Sequence, residues 1–363
     1  MGTPPTRPRG KTNNGGNELL SSQGEFVPDT RTGPLGIAPV RLGEASRVHP
    51  LLSWAIGFLA LVALILAVLH FGSLERIIEL VRSARPAWLL LAILVQAATY
   101  VGAALVWRQT LHRAGHPRSL RTLVPLGIAK LFTDQVLPSG GISGTMLVIS
   151  GLIRRRVPPE VAMAAMLASL VSYDIAYLMV VLTSTGVLWL HDRANFPLLI
   201  GVAIFSVITV AIPTAVFGLK RWGDRQPITW LSRLFGATAL LQALADAPTD
   251  LLRSSGLLIQ TAGLQVAIFM LDALTLWLAF NSIGAAPAIW VVFVSFAIAS
   301  MAATIGPIPV GLGTFEAGSV GMLSYLGVSI EAALAGTLLL RGLTFWLPML
   351  PGIWLARREL GRL

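Results

Sequence analysis

Residues 51–69 run for nineteen positions without a charged side chain, and uncharged runs of similar length recur at 86–107 and 196–219. Hydrocarbon offers a backbone no water to bond with, so such runs fold as helices that satisfy their own N–H and C=O groups. Composition supports this: 12% of residues are charged, against about 25% in soluble domains. The chain reads as an all-α integral membrane protein. Its net charge of +10 does not imply nucleic acid, because the Lys and Arg fall in the gaps between apolar runs. With no cysteine, disulfides, thiolate metal sites and cysteine nucleophiles are excluded.

Three regions follow. Residues 1–48 are rich in Pro, Gly, Asn, Ser and Thr, too polar to bury a core, and are expected to be a disordered cytoplasmic tail. Residues 49–357 form a single transmembrane domain, and 358–363 a short cytoplasmic end. Within the domain six full spans are expected, at 51–69, 86–107, 159–190, 196–219, 257–280 and 331–355. Apolar residues at helical spacing between charges suggest interfacial helices at 74–85 and inside 220–253.

Two apolar segments are broken where helix should continue. The first carries Pro138, Gly140, Gly141 and Ser143; the second carries Pro309, Gly311, Gly313, Thr314 and Glu316. A shift of 171 residues lays Pro138 on Pro309, Gly140 on Gly311 and Ser143 on Thr314, and continues through Leu152 on Leu323 to Leu167 on Leu338. The pieces on either side of each break are shorter than the ~20 residues a span requires, so two re-entrant hairpins are expected. The half-repeats cover about 86–190 and 257–355. Paired interruptions of this kind point to a transport site at the membrane midplane.

The basic loops set the orientation. With both termini cytoplasmic, the loops 108–121, 154–156 and 220–253 fall inside, and 191–195 and 281–287 outside. The half-repeats then run in opposite directions, an inverted repeat whose tips face a common centre. Each break restarts a helix, and a helix N-terminus favours phosphate or carboxylate. Ionisable residues at membrane depth are costly unless paired, which singles out Asp134, Asp174, Asp272, Glu316 and Arg341 as candidate substrate-binding residues. Structural pairing, for instance of Arg341 with Asp272 or Glu316, is the plainer alternative. No nucleophile–base pair, metal cluster or cofactor motif is visible, so no enzymatic activity, metal or cofactor is expected.

At these same residues the chain resembles the lysylphosphatidylglycerol-synthase transmembrane-region family. The likeness lies in LPSGGISG followed by LIRRRVPPEVA, and in IPVGLGTFEAGSVGMLSYLGVSIEAALAGTLLLRGLTFW. Pro309, Gly311, Gly313, Glu316, Gly327, Val328 and Arg341 take the places of the family's C-terminal motif. The first motif departs from the pattern, with Asp134 and Thr145 near the places of its polar residues, and a common Glu-Arg pair appears as Ser172-Tyr173. The resemblance implies translocation, by a flippase or scramblase, of an anionic or aminoacylated phospholipid or related lipid between leaflets. It also implies residence in a bacterial cytoplasmic membrane, and a separate lipid-synthesising enzyme as a partner, since no synthetase domain fits in this length. An ion-coupled small-anion transporter is the alternative, and a membrane-embedded lipid-modifying enzyme a more distant one.

Overall fold

The computed structural model describes residues 1–2, 79, 82–136, 141–223, 254–305, 311 and 313–360; at 212, 213, 215–223 and 360 it describes the backbone alone. The expected tail beyond Gly2, the first span at 51–69, most of both interfacial helices, and Pro138, Gly140 and Pro309 lie outside the described residues. All that is described after Gly2 belongs to one unit, Ser46–Leu363.

Among the described residues the chain is helical, without strands. Pro86 opens α1 (Pro86–Arg113), where its missing N–H costs nothing. This helix runs six residues past the expected end of its span, so Arg108 and Arg113 stand on helix rather than in a loop. No residue in 108–113 breaks a helix; termination waits for Gly115, at φ 77°. The first hairpin follows as α2 (Leu120–Val136) and α3 (Ile142–Arg154). Pro159 and Glu160 open α4 (Pro159–Leu190), and α5 is Phe196–Gly223. The second half comprises α6 (Ser255–Ser282), the hairpin α7 (Ile289–Ile305) and α8 (Thr314–Tyr325), and a long final helix. That helix is α9 (Ile330–Arg341), a π-helical turn Gly342–Trp346, and α10 (Leu347–Leu360). Among the described residues four helices are long and apolar enough to cross a membrane: α1, α4, α6 and the Ile330–Glu359 stretch.

The halves agree in detail. Adding 169 to the bounds of α1 and α2 gives those of α6 and α7. Past the breaks the offset is 171: the second break, 306–313, is three residues longer than the first, 137–141, and α8 is one residue shorter than α3. The turn after α3 has Arg155, Arg156 and Val157 N–H donating to Leu152, Ile153 and Leu152 C=O. Leu326, Gly327 and Val328 donate to Leu323, Ser324 and Leu323, the same bonds 171 residues later. Packing repeats as well: α1 lies against α6 at the centre, α2 packs on α10, and its counterpart α7 packs on α4.

Two apolar cores result. One gathers α1, the first hairpin, the first part of α4 and Ala356 of α10. The other gathers the second hairpin, α6, α9, Phe205 and the latter part of α4, from Ala176 to Leu188. Arg155 locks the first hairpin to the chain's end, its guanidinium donating to both Glu359 carboxylate oxygens at 2.7 and 3.0 Å.

Small residues set the close approaches, as expected where lipid supplies no hydrophobic drive between helices. A Cβ on Gly336 would stand 2.6 Å from Phe280, whose ring is fully buried. Gly336→Ala should therefore cost about 1–3 kcal/mol through overpacking, read as a lower Tm of the detergent-solubilised protein. Gly321→Ala, with nothing within 4 Å of the added methyl, should match or exceed the parent. Equal stability of the two variants would contradict this packing.

Candidate functional site

The two breaks end in the same physical arrangement built from different residues. In the first hairpin Gly141, at φ 86°, begins α3, a backbone state that glycine adopts without strain. The N–H of Gly144, in the first turn of α3 where no intrahelical acceptor is available, is met by Asp134 Oδ1 at 2.9 Å, reaching across from α2. Gly144 makes this reach possible, because a Cβ there would lie 2.7 Å from the Lys130 carbonyl. Lys130, one turn before Asp134, pairs with its other oxygen. Ser143 lies in the first turn of α3, its hydroxyl 3.5 Å from the Thr133 carbonyl.

In the second hairpin Gly313, at φ 83°, begins α8, and its N–H donates to Glu316 Oε2 at 2.7 Å. The cation here comes from the final long helix. Arg341 Nε lies 2.7 Å from Glu316 Oε1, with the carboxylate almost wholly buried. The Nε–H does not point along that line, so Nε makes an ionic contact without an aligned hydrogen bond. Arg341 Nη2 donates to the Gly311 carbonyl at 3.3 Å, and the guanidinium stacks 4.3 Å from the centre of Phe315. Thr314 Oγ1 is buried beside this group without a partner. Each helix start thus carries its own carboxylate, itself neutralised by a cation: Asp134 with Lys130, Glu316 with Arg341. Of the pairings weighed for Arg341, the structure selects Glu316.

Asp272 is engaged elsewhere. Gln96 of α1 donates to Asp272 Oδ1 at 3.2 Å and to Thr99 Oγ1 at 3.0 Å, across the central α1–α6 contact. Tyr100 donates to the Leu343 carbonyl, inside the π-helical turn, at 3.4 Å. On α4 the ring of Tyr177 stacks on Phe269 at 5.0 Å, and its hydroxyl meets Thr304 Oγ1 at 3.0 Å. Asp174 is 7% exposed, and its Oδ2 has no partner.

Gln96, Tyr100, Asp174, Asp272 and Arg341 each lie within four residues of the midpoint of a long helix. On α4 Asp174 falls between the stretch that feeds one core, 162–168, and the stretch that feeds the other, 176–188. The result is a polar waist between two apolar cores. Ionisable residues signalled it in the sequence. Gln96, Thr99 and Tyr100 escaped notice because they are uncharged, although a glutamine in the middle of an apolar span needs a partner as surely as an aspartate does. The π-helical turn has no sequence signature here.

Residues 53–352 match the family model of the lysylphosphatidylglycerol synthase TM region. The chain belongs to that family. It is also 23% identical over 316 residues to a UPF0104 membrane protein of Methanothermobacter thermautotrophicus, an alignment covering 82% of this chain and 92% of that one. With the long apolar helices, membership makes this a multi-pass membrane protein. The Glu316–Arg341 pair stands inside the matched span of the synthase TM-region family.

Removing one partner of a buried ion pair leaves an uncompensated charge, which costs about 3–5 kcal/mol. Arg341→Ala should destabilise the protein on that scale. Adding Glu316→Gln should recover part of the loss, because glutamine can still accept the Gly313 N–H. Thermal unfolding of the two single variants and the double variant measures this coupling. Strictly additive losses would show that the pair is not formed.

Proposed function

We propose that this chain moves a phospholipid, anionic or aminoacylated, or a related lipid, between membrane leaflets. The polar waist carries this reading: charged and amide side chains at mid-height, with apolar cores above and below. A headgroup crossing a bilayer needs polar partners at mid-height and little elsewhere. Its acyl chains can stay in hydrocarbon beside the exposed rings of Tyr173 and Trp346.

The hairpins suit the same task. Helices of 17, 13, 17 and 12 residues extend about 26, 20, 26 and 18 Å, short of a ~30 Å hydrocarbon layer. On this reading both are re-entrant, entering from opposite faces, with Pro138, Gly140 and Pro309 at the tips. The arrangement belongs in a bacterial cytoplasmic membrane with both termini cytoplasmic, supplied by a separate lipid-synthesising enzyme. Arg341 keeps donor positions beyond those given to Glu316 and Gly311, and with Thr314 Oγ1 these are the groups a headgroup phosphate would meet.

Reconstitution into liposomes with a fluorescent anionic phospholipid tests the proposal. The parent protein should accelerate transfer between leaflets. Arg341→Ala should slow it at least tenfold, and Arg341→Lys should retain part of the rate, since it keeps the charge but loses the planar fork. Gly321→Ala should leave transfer unchanged. A parent protein that moves no lipid but accumulates a small soluble anion would replace lipid translocation with ion-coupled anion transport.

A further inference from the structure

Asp174 is the one carboxylate of the waist that the interactions above leave unexplained. It lies at the centre of α4, 7% exposed, and Oδ2 is buried without a hydrogen-bond partner. It lines a cavity of about 190 Å³ between α4 and α5, with Ile175, Leu178, Thr209, Val210 and Thr214. Three of these walls are aliphatic and two carry hydroxyls. The Thr214 hydroxyl donates to the Val210 carbonyl at 2.7 Å, which leaves its oxygen able to accept or to coordinate.

Among the described residues no Lys or Arg pairs with this carboxylate, and the cationic positions of α5, Lys220 and Arg221, stand at its last turn, beyond Thr214. Residues 159–190 contain no Lys or Arg, and neither do residues 196–219. The acidic and phenolic groups nearest along α4 and α6, Tyr173, Tyr177 and Asp272, bring no positive charge. A buried carboxylate without a counter-charge is strongly unfavourable beside such aliphatic walls, and it is relieved by taking up a proton or a bound cation.

The repeat shows that the scaffold does not require this group. The 171-residue offset places Phe345 at the position of Asp174, a buried ring within the π-helical turn. No described helix follows α10 as α5 follows α4. Among the described residues the groove and its carboxylate have no counterpart in the second half.

We propose that the α4–α5 groove is a binding site for a single positive charge, held by Asp174 with the Thr209 and Thr214 hydroxyls. One carboxylate with neutral oxygens matches a monovalent charge; divalent ions draw on more oxygen ligands and more negative charge than the groove offers. The volume corresponds to about six waters at ~30 Å³ each, room for a partly hydrated alkali ion or for an organic ammonium group. Both present the same chemistry to the carboxylate. The site stands on the groove alone and does not depend on lipid translocation.

Thermal unfolding of the purified full-length protein in non-ionic detergent tests it, with two titrations at constant ionic strength balanced by N-methylglucamine chloride. One uses sodium chloride and the other ethylammonium chloride. The parent should show a saturable rise in Tm with at least one of them. A response to sodium alone identifies an inorganic ion site, and a response to ethylammonium alone identifies a site for a headgroup amine. Asp174→Asn should raise the apparent Kd at least tenfold. Without added cation its Tm should equal or exceed the parent's, because the unpaired charge is gone. Thr209→Val should weaken binding several-fold with the fold intact, and it carries the test if Asp174→Asn does not fold. The proposal is overturned if neither cation gives a saturable response, or if whichever of these variants folds responds as the parent does.

Discussion

A helix that starts inside an apolar segment exposes N–H groups where no water is assured, and each must find an acceptor. This chain makes two such starts, and the rest of the described structure is arranged around satisfying them. Asp134 and Glu316 supply the acceptors at Gly144 and Gly313. Each carboxylate then takes its own counter-charge, which Lys130 provides locally for the partly buried Asp134 and Arg341 provides from the final long helix for the buried Glu316. The second solution binds the hairpin to a distant element. It brings Gly311, Phe315, Glu316 and Arg341 into one cluster, directly before the π-helical turn.

The same constraint explains how symmetry and asymmetry divide. Helix order, helix length and the hydrogen bonds of the turn at 152–157 repeat faithfully at 323–328, because backbone geometry and helix packing impose them. The polar chemistry does not repeat. Asp134 has no acidic counterpart at its offset of 169, where Ala303 stands, and Arg341 corresponds to Leu170. Phe345 occupies the place of Asp174. The repeated scaffold thus carries two unlike hairpins and, among the described residues, one unmatched groove.

Much of this was legible in the residues. Uncharged runs marked the long helices, and Pro159 with Glu160 marked the start of α4 within a residue. The 171-residue register located both hairpins, but it did not show the offset of 169 before the breaks, since few identities precede them. The extra length of α1 was missed because its last turns are polar. Lys130 with Asp134 was readable as a pair from spacing alone, whereas the partners of Arg341 and Asp272 depend on which helices meet. Gln96 could have been found by asking where each polar group in a span finds its bond.

The central claim is that two halves with the same internal geometry enter the membrane in opposite directions. His116 and Ala285 occupy equivalent places, each donating its N–H to a carbonyl five residues earlier, Leu111 and Phe280. Because the chain has no cysteine, His116→Cys and Ala285→Cys each introduce a single thiol into an otherwise silent background. Labelling of intact cells with a membrane-impermeant maleimide should reach the cysteine at 285, and the one at 116 only after the membrane is opened. Labelling of both from the same side would make the repeats parallel and contradict the inverted arrangement.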